Sequence, residues 1–456
     1  MATPRILSSL LVLPLACAWL LGQGVQPYPN AITDRNFYAK TAMAPPPANV
    51  VFVDPDLGAP TLRVTDENTD PRHPGGFFRN PPGADNEWNV DNSKFSVQGH
   101  SGSLVFAFDP STMMVSPLPG AGAGGALQIP LRGAPTFSFV DPDLMYGTAK
   151  KAPLTIATYR FSTAHVQTLY DTTQCQTQPP LVAGPQNSST DLTVSSDDGR
   201  IEISAGGKAV SFRPFVIVYD KQLGCRWYNT QTGQVGGAWG PVGQVNIADR
   251  FLFGHSKLSG NGQYVRIGVG NKKARFYVWD VTSLNVQSCE LHSPAKCAGY
   301  GAIGYDAYIN NPGAIDEMNS YIRPLANLDQ IRQLINPLPQ PYYWGMEKNF
   351  SWNPGRLNDN APVCGANYSP TGDMEVKQPY DGEVFCIETD GVLSTIWRFA
   401  HDRAVWDPEY FWTQPFASLS LDGRFFAFTS SWDNQLGTVP GEDDGPRTDV
   451  WIVKLD

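Results

Sequence analysis

The chain is expected to fold as an all-β, seven-bladed β-propeller, and three observations carry that expectation. A short phrase recurs along it: a strand-like run, an Asp/Asn/Gly turn, then a second apolar run. It reads Trp88-Asn-Val-Asp91-Asn-Ser-Lys-Phe95, Val194-Ser-Ser-Asp197-Asp-Gly-Arg-Ile201, Leu258-Ser-Gly-Asn261-Gly-Gln-Tyr-Val265 and Leu419-Ser-Leu-Asp422-Gly-Arg-Phe-Phe426. Such turns use residues that accept positive φ or bond their own backbone, so each phrase is an antiparallel hairpin. Between the phrases lie further strand-like runs, Leu104–Phe108, Phe215–Tyr219, Phe276–Trp279 and Val450–Val453 among them. Four short strands per repeat in a radial array hide the sheet edges. Finally, orphan strands at 50–53 and 62–65 precede the first phrase, and the chain ends directly after the strand at 450–453. That timing predicts a ring closed by pairing the N-terminal strand with the last blade.

In chain order, residues 1–24 read as a signal peptide: Arg5, an apolar run from Ile6 to Leu21, and small residues at Gly22 and Gly24. Residues 25–49, rich in Pro and Ala, read as an extended lead-in, and 50–456 as the propeller domain. Blades are expected near Trp88, Phe139, Val194, Leu258, Tyr305, Trp352 and Leu419. Six and eight blades are the neighbouring counts, because the second repeat is degenerate, the sixth is shortened and the fifth lacks the turn phrase. Leu328, Ile331, Leu334 and Ile335 recur at helical spacing and predict a short helix over 325–338.

Composition bounds the function. A net charge of −10 and a pI near 5.1 argue against a nucleic-acid partner, whose affinity comes from neutralised phosphates. No segment beyond the leader is apolar enough to cross a bilayer, which predicts a secreted or periplasmic protein. Removing the leader leaves six cysteines, an even number that suits disulfides in an exported chain. Local pairing would join Cys289 to Cys297, Cys364 to Cys386 and Cys175 to Cys225.

Candidate site residues follow from aligning the repeats. Three residues before the Trp88 equivalent stand Asp85, Thr136, Asp191, His255, Asn349 and Phe416. The innermost strand of each blade lines the channel, so a mainly polar set there predicts a hydrated funnel at one mouth. Asp85, Asp191 and His255 carry oxygen and nitrogen donors suited to a divalent metal ion. A pore that simply holds water is the other reading. Nearby clusters mix carboxylates with aromatic rings: Glu87 and Trp88 in blade one, Trp344 to Glu347 before blade six, Trp406 to Trp412 before blade seven. That mix suits carbohydrate, since flat sugar faces stack on rings while carboxylates bind hydroxyls. The ligand-binding set is thus Asp85, Glu87, Trp88, Asp191, His255, Asn349 and Glu347.

The phrases resemble the TolB-like and WD40-like propeller repeats of exported bacterial proteins, most closely at Trp88–Phe95 and Leu419–Phe428. Among enzymes on that fold, oligogalacturonate lyases are the nearest comparison, and that resemblance would imply metal-assisted β-elimination on uronic acid chains. Their histidine-rich metal cluster lies in the later blades. Here only His292 and His401 follow blade four, so that cluster does not carry over. The leading reading is a propeller that binds a glycan at one mouth of its channel. The alternatives are a polysaccharide lyase, with His255 or a tyrosine as base and Arg403 holding the substrate carboxylate, and a scaffold contacting envelope proteins.

Overall fold

The structure, a computed structural model, describes residues 27–81, 86–181, 192–206, 213–269, 274–290, 301–310, 320–335, 347–352, 358–368, 378–391, 395–407, 409–441 and 445–456. It is a seven-bladed β-propeller, with seven antiparallel sheets in chain order. Blade one runs from Phe78–Arg79 to Leu127–Gln128, blade two from Leu131–Phe137 to His165–Asp171, and blade three from Leu192–Val194 to Gly243–Gln244. Blades four, five and six start at His255–Leu258, Ala302–Ile303 and Glu347–Ser351. Blade seven takes Ala417–Leu419, Phe425–Ser430 and Asp449–Lys454 from the C-terminal end, then Pro60–Arg63 and Val51–Val53 from the N-terminal end. The closing pair is Thr61 opposite Val453, Leu62 opposite Ile452 and Arg63 opposite Trp451. Ring closure is therefore as expected.

Packing follows from the period-2 alternation of each strand. Residues on the two faces of a blade fill the gaps to its neighbours, so the core is a set of separate inter-blade clusters. Between blades seven and one, Trp88, Phe95, Phe108 and Phe425 interlock at centroid separations of 5.0 to 6.0 Å. The lead-in past residue 26 is extended and docked on the outer edge of blades six and seven. Ile32 bridges Arg398, and the Trp432 indole donates to the Met43 carbonyl at 3.0 Å.

Small polar residues join the blades at their inner ends. In blades two, three and six the residue immediately before the apolar anchor carries a hydroxyl that bonds the neighbouring blade. Thr193 Oγ1 accepts from Leu258 N at 2.9 Å, Ser351 Oγ from Leu419 N at 2.9 Å, and Thr136 Oγ1 from Asn86 N at 2.9 Å. The turns behind them are linked as well. Ser196 N donates to Gly260 O at 2.8 Å and Gly260 N to Gly304 O at 2.9 Å. Asp198 accepts from Phe139 N and the Tyr146 hydroxyl, at 3.0 and 2.9 Å. Asp359 accepts from Tyr305 N at 2.5 Å and Asp306 N at 2.8 Å. Its carboxyl is held above the usual range by burial and by Asp306 beside it.

Two expectations are corrected. Blade two is anchored by Phe137, because Ser138 N bonds Leu144 O just as Asn89 N bonds Lys94 O in blade one. The stretch from Leu325 to Ile335 is not helical. Leu325 and Leu328 flank a turn, Arg332–Gln333 is a strand paired with Tyr321–Ile322, and Leu334 and Ile335 are buried after it. A turn followed by a strand carries Leu325 and Leu328 into one inter-blade core and Leu334 and Ile335 into the next, with Ile331 exposed, at intervals that imitate a helix. Cys175–Cys225 and Cys364–Cys386 are disulfide-bonded as local pairing predicts. Cys289 is bonded too, and its expected partner Cys297 lies outside the described residues. The leader also lies outside them, and no helix among the described residues is long and apolar enough to cross a membrane.

The inner-wall hydroxyls make a specific stability claim. Thr193 serves two buried partners, accepting from Leu258 N and donating to Glu202 Oε2 at 2.9 Å. Thr193→Val keeps the shape and orphans both, so chemical denaturation should show a loss of about 2–4 kcal/mol. Thr193→Ser, which retains the hydroxyl, should lose well under half of that.

Candidate ligand site at the channel mouth

The innermost strands all start at one mouth and run toward the turn phrases. Three groups of side chains are of chemical interest: the channel wall, the entry mouth where those strands begin, and the rim between blades six and seven.

On the channel wall, Glu87 of blade one is 2% exposed. Burial raises its carboxyl well above the ordinary 4.5, opposed by a hydrogen bond from Ser418 of blade seven and by the charge of Lys257 of blade four. Among the described residues its Oε2 has no hydrogen-bond partner. Glu202 of blade three is also fully buried and accepts from Ser256 Oγ at 2.6 Å as well as from Thr193. Among the described residues the wall thus combines hydroxyls with two acids and a lysine.

His255 opens the innermost strand of blade four and lies across Gly268 of the next strand, where an added Cβ would come within 2.2 Å of its Nε2. Arg266 Nη1 donates to that Nε2 at 3.0 Å. Burial, then Arg266, Lys257 and Arg213, push the imidazole down to about 3. A ring whose Nε2 lone pair is taken by a guanidinium, with two more cations close by, is a poor ligand for a dication.

The expected residues are only partly brought together. Asp85 and Asp191 lie outside the described residues, and for Glu347 and Asn349 only the strand is described. Trp88 is fully buried between blades, donating from its indole to Ser418 O at 3.4 Å, which is a packing position. Thr136 bonds the backbone of blade one instead of facing water. Arg403 lies beyond the outermost strand of blade six, 1% exposed, donating to Thr41 O at 2.8 Å and pairing with Asp433 at 3.3 Å. It shares no site with His255.

Sequence reasoning missed Arg79. It stands on the first strand of blade one, and its guanidinium lies 5.6, 5.8 and 5.8 Å from the rings of Phe77, Phe411 and Phe416. Its Nε donates to Gln98 Oε1 at 3.1 Å, and among the described residues it forms no ion pair with a carboxylate. Burial alone pushes it down to about 10. Beside it, Phe77 stacks on Trp412 at 4.9 Å and 9°, Tyr410 lies 5.0 Å from Trp412, and Phe411 is 45% exposed. The Trp412 indole is anchored on Pro446 O at 3.0 Å, which fixes the ring plane. The Trp406–Trp412 run was visible as an aromatic cluster, but its partner arginine sits in another blade.

This arrangement defines the molecule as a seven-bladed propeller with a polar inner wall and an aromatic, cationic platform at the mouth where its innermost strands begin. Solved structures of the same architecture include the oligogalacturonate lyase of Vibrio parahaemolyticus, at TM-score 0.51 and 14% identity, over 89% of this chain and 96% of that one. An oligogalacturonate lyase in complex with manganese matches at TM-score 0.51 and 13% identity over the same shares. At that identity the likeness is one of fold. No family model and no curated protein matches the chain.

Glu87 sets a pH dependence. Because its folded value lies above its unfolded one, its contribution is present below about 4.5 and is lost as pH rises through the raised value. Glu87→Gln removes that loss. Its unfolding free energy from urea titration should exceed that of the wild type at pH 8, and the gap should narrow at pH 5. Equal midpoints at both pH values would mean that the carboxylate is ionised and fully compensated by Lys257.

Proposed function

We propose that the protein binds a glycan at the entry mouth, with an acidic sugar lying on Phe77, Trp412 and Phe411 and its carboxylate on Arg79. The observation behind this reading is the half-buried Arg79, set among three phenylalanine rings with no carboxylate among the described residues to balance it. Leaving a cation desolvated is costly, and a bound anion relieves that cost. A planar guanidinium matches a carboxylate with two parallel hydrogen bonds. The neighbouring rings offer the flat apolar faces on which the carbon skeleton of a sugar can stack. Disulfide-bonded pairs fit a protein that works outside the cytoplasm, secreted or periplasmic.

A second reading is a polysaccharide lyase acting by β-elimination on uronic acid-containing glycans. In its favour is a cation at the mouth that would neutralise the substrate carboxylate and so acidify the adjacent C–H. The shared architecture with oligogalacturonate lyases is compatible with it. In this reading Arg79 takes the role assigned to Arg403 from sequence, and His255, neutral over the working pH range, would need to exchange its Arg266 contact for the substrate proton. The third reading, a scaffold for envelope proteins, has no specific contact in its favour.

Calorimetric titration with oligogalacturonate, alginate oligomers and neutral glucans separates these. Acidic oligomers should bind more tightly than neutral ones, and Arg79→Gln should erase that preference, with a loss of about tenfold, or 1.4 kcal/mol. Trp412→Ala should weaken both kinds. Equal binding of acidic and neutral oligomers, or none, would remove the proposal. Growth of ultraviolet absorbance from unsaturated products would bring the lyase reading forward.

A further inference from the structure

Away from the channel, the rim between blades six and seven gathers three metal-ligating side chains. Asp54 and Asp56 stand in the turn joining Val51–Val53 to Pro60–Arg63, and His401 ends the outermost strand of blade six, Ile396–His401. One ligand atom from each lies within 4.8 Å of the other two. His401 Nδ1 is 3.2 Å from Asp56 Oδ2, and its backbone N donates to Asp54 Oδ2, also at 3.2 Å. His401 is 2% exposed, yet among the described residues neither ring nitrogen has an aligned hydrogen-bond partner. A buried imidazole in that state is costly unless something absent from the protein atoms satisfies it.

The carboxylates are already oriented. Asp54 Oδ1 accepts from Asp56 N and Leu57 N at 3.0 and 2.8 Å, and Asp56 accepts from Thr41 N and its hydroxyl at 2.8 and 2.5 Å. Asp54 Oδ1 is filled by its two bonds, but Asp54 Oδ2 and both oxygens of Asp56 accept one each and keep a second lone pair, so these bonds aim the carboxylates without exhausting them. The cations nearby are turned elsewhere: Lys40 pairs with Asp433, and Arg403 with Asp433 and Thr41 O. Asp56 keeps 10% of its side chain exposed, which leaves a path for water and ion.

We propose that Asp54, Asp56 and His401 hold one divalent d-block cation, Zn²⁺ or Mn²⁺, that clips the closing hairpin of the ring to blade six. One imidazole with two carboxylates suits such borderline ions, whereas Ca²⁺ takes oxygen ligands alone. The clip joins residues 347 apart in sequence, so it acts where ring closure is otherwise carried by strand pairing and packing. It is independent of any ligand at the channel mouth.

The test uses the untagged full chain, dialysed against chelator and then titrated with ZnCl₂, MnCl₂ and CaCl₂ by calorimetry while the melting temperature is followed. One equivalent of Zn²⁺ or Mn²⁺ per chain, with a rise in melting temperature, is expected. Asp56→Asn and His401→Gln should abolish both, whereas His165→Gln, at an exposed histidine of blade two, should leave both intact. Circular dichroism shows whether each variant is folded, and if His401→Gln is not, Asp56→Asn decides. Folded wild-type protein that takes up no stoichiometric Zn²⁺ or Mn²⁺, binds Ca²⁺ alone, or binds as well after Asp56→Asn would overturn the proposal.

Discussion

Seven twisted sheets can share one axis only if their innermost strands are joined where they converge. There the backbones crowd together and little room is left for apolar side chains. Short hydroxyl residues meet that constraint: Thr136, Thr193 and Ser351 each reach one strand over and accept a neighbouring blade's backbone N–H. The turn-to-turn bonds from Ser196 to Gly260 and from Gly260 to Gly304 repeat the same linkage at the other end of the strands. Buried backbone donors must be satisfied, and this belt satisfies them while leaving the outer parts of each blade free to pack as hydrophobic layers.

The belt also explains the chemistry of the wall. A position that must be polar for architectural reasons can be filled by a larger polar residue at small further cost, and Glu87 and Lys257 occupy it in blades one and four. A polar channel is therefore weak evidence for a ligand, since most of its polarity is engaged between blades. The entry mouth differs because Arg79 has no such obligation: it neither joins blades through a backbone bond nor meets a carboxylate among the described residues.

Much of the architecture was legible in the chain because it is local. The hairpin phrases located the blades, the orphan strands foretold the closure, and cysteines close in sequence formed two of the expected pairs. What misled were places where two local patterns coincide. Ser138-Phe139 looks like a repeat anchor, but the backbone pairing uses Phe137, and the leucines after Pro324 belong to a turn and a strand. The site was legible only as a region. Arg79 acquires meaning from rings more than 300 residues away in blade seven, at Phe411 and Phe416, and His401 from Asp54 and Asp56 at similar distance. No spacing rule on one sequence reports such convergence.

Closing the circle with strands far apart in the chain has a biosynthetic corollary. Arg63 meets Asp449 across 386 residues, so the hairpin of Val51–Val53 and Pro60–Arg63 keeps one open edge, its donors and acceptors available to any other extended chain, until the strand Asp449–Lys454 has been made. Cooperative assembly then waits for that strand, and a product truncated before it would carry an unsealed, aggregation-prone edge.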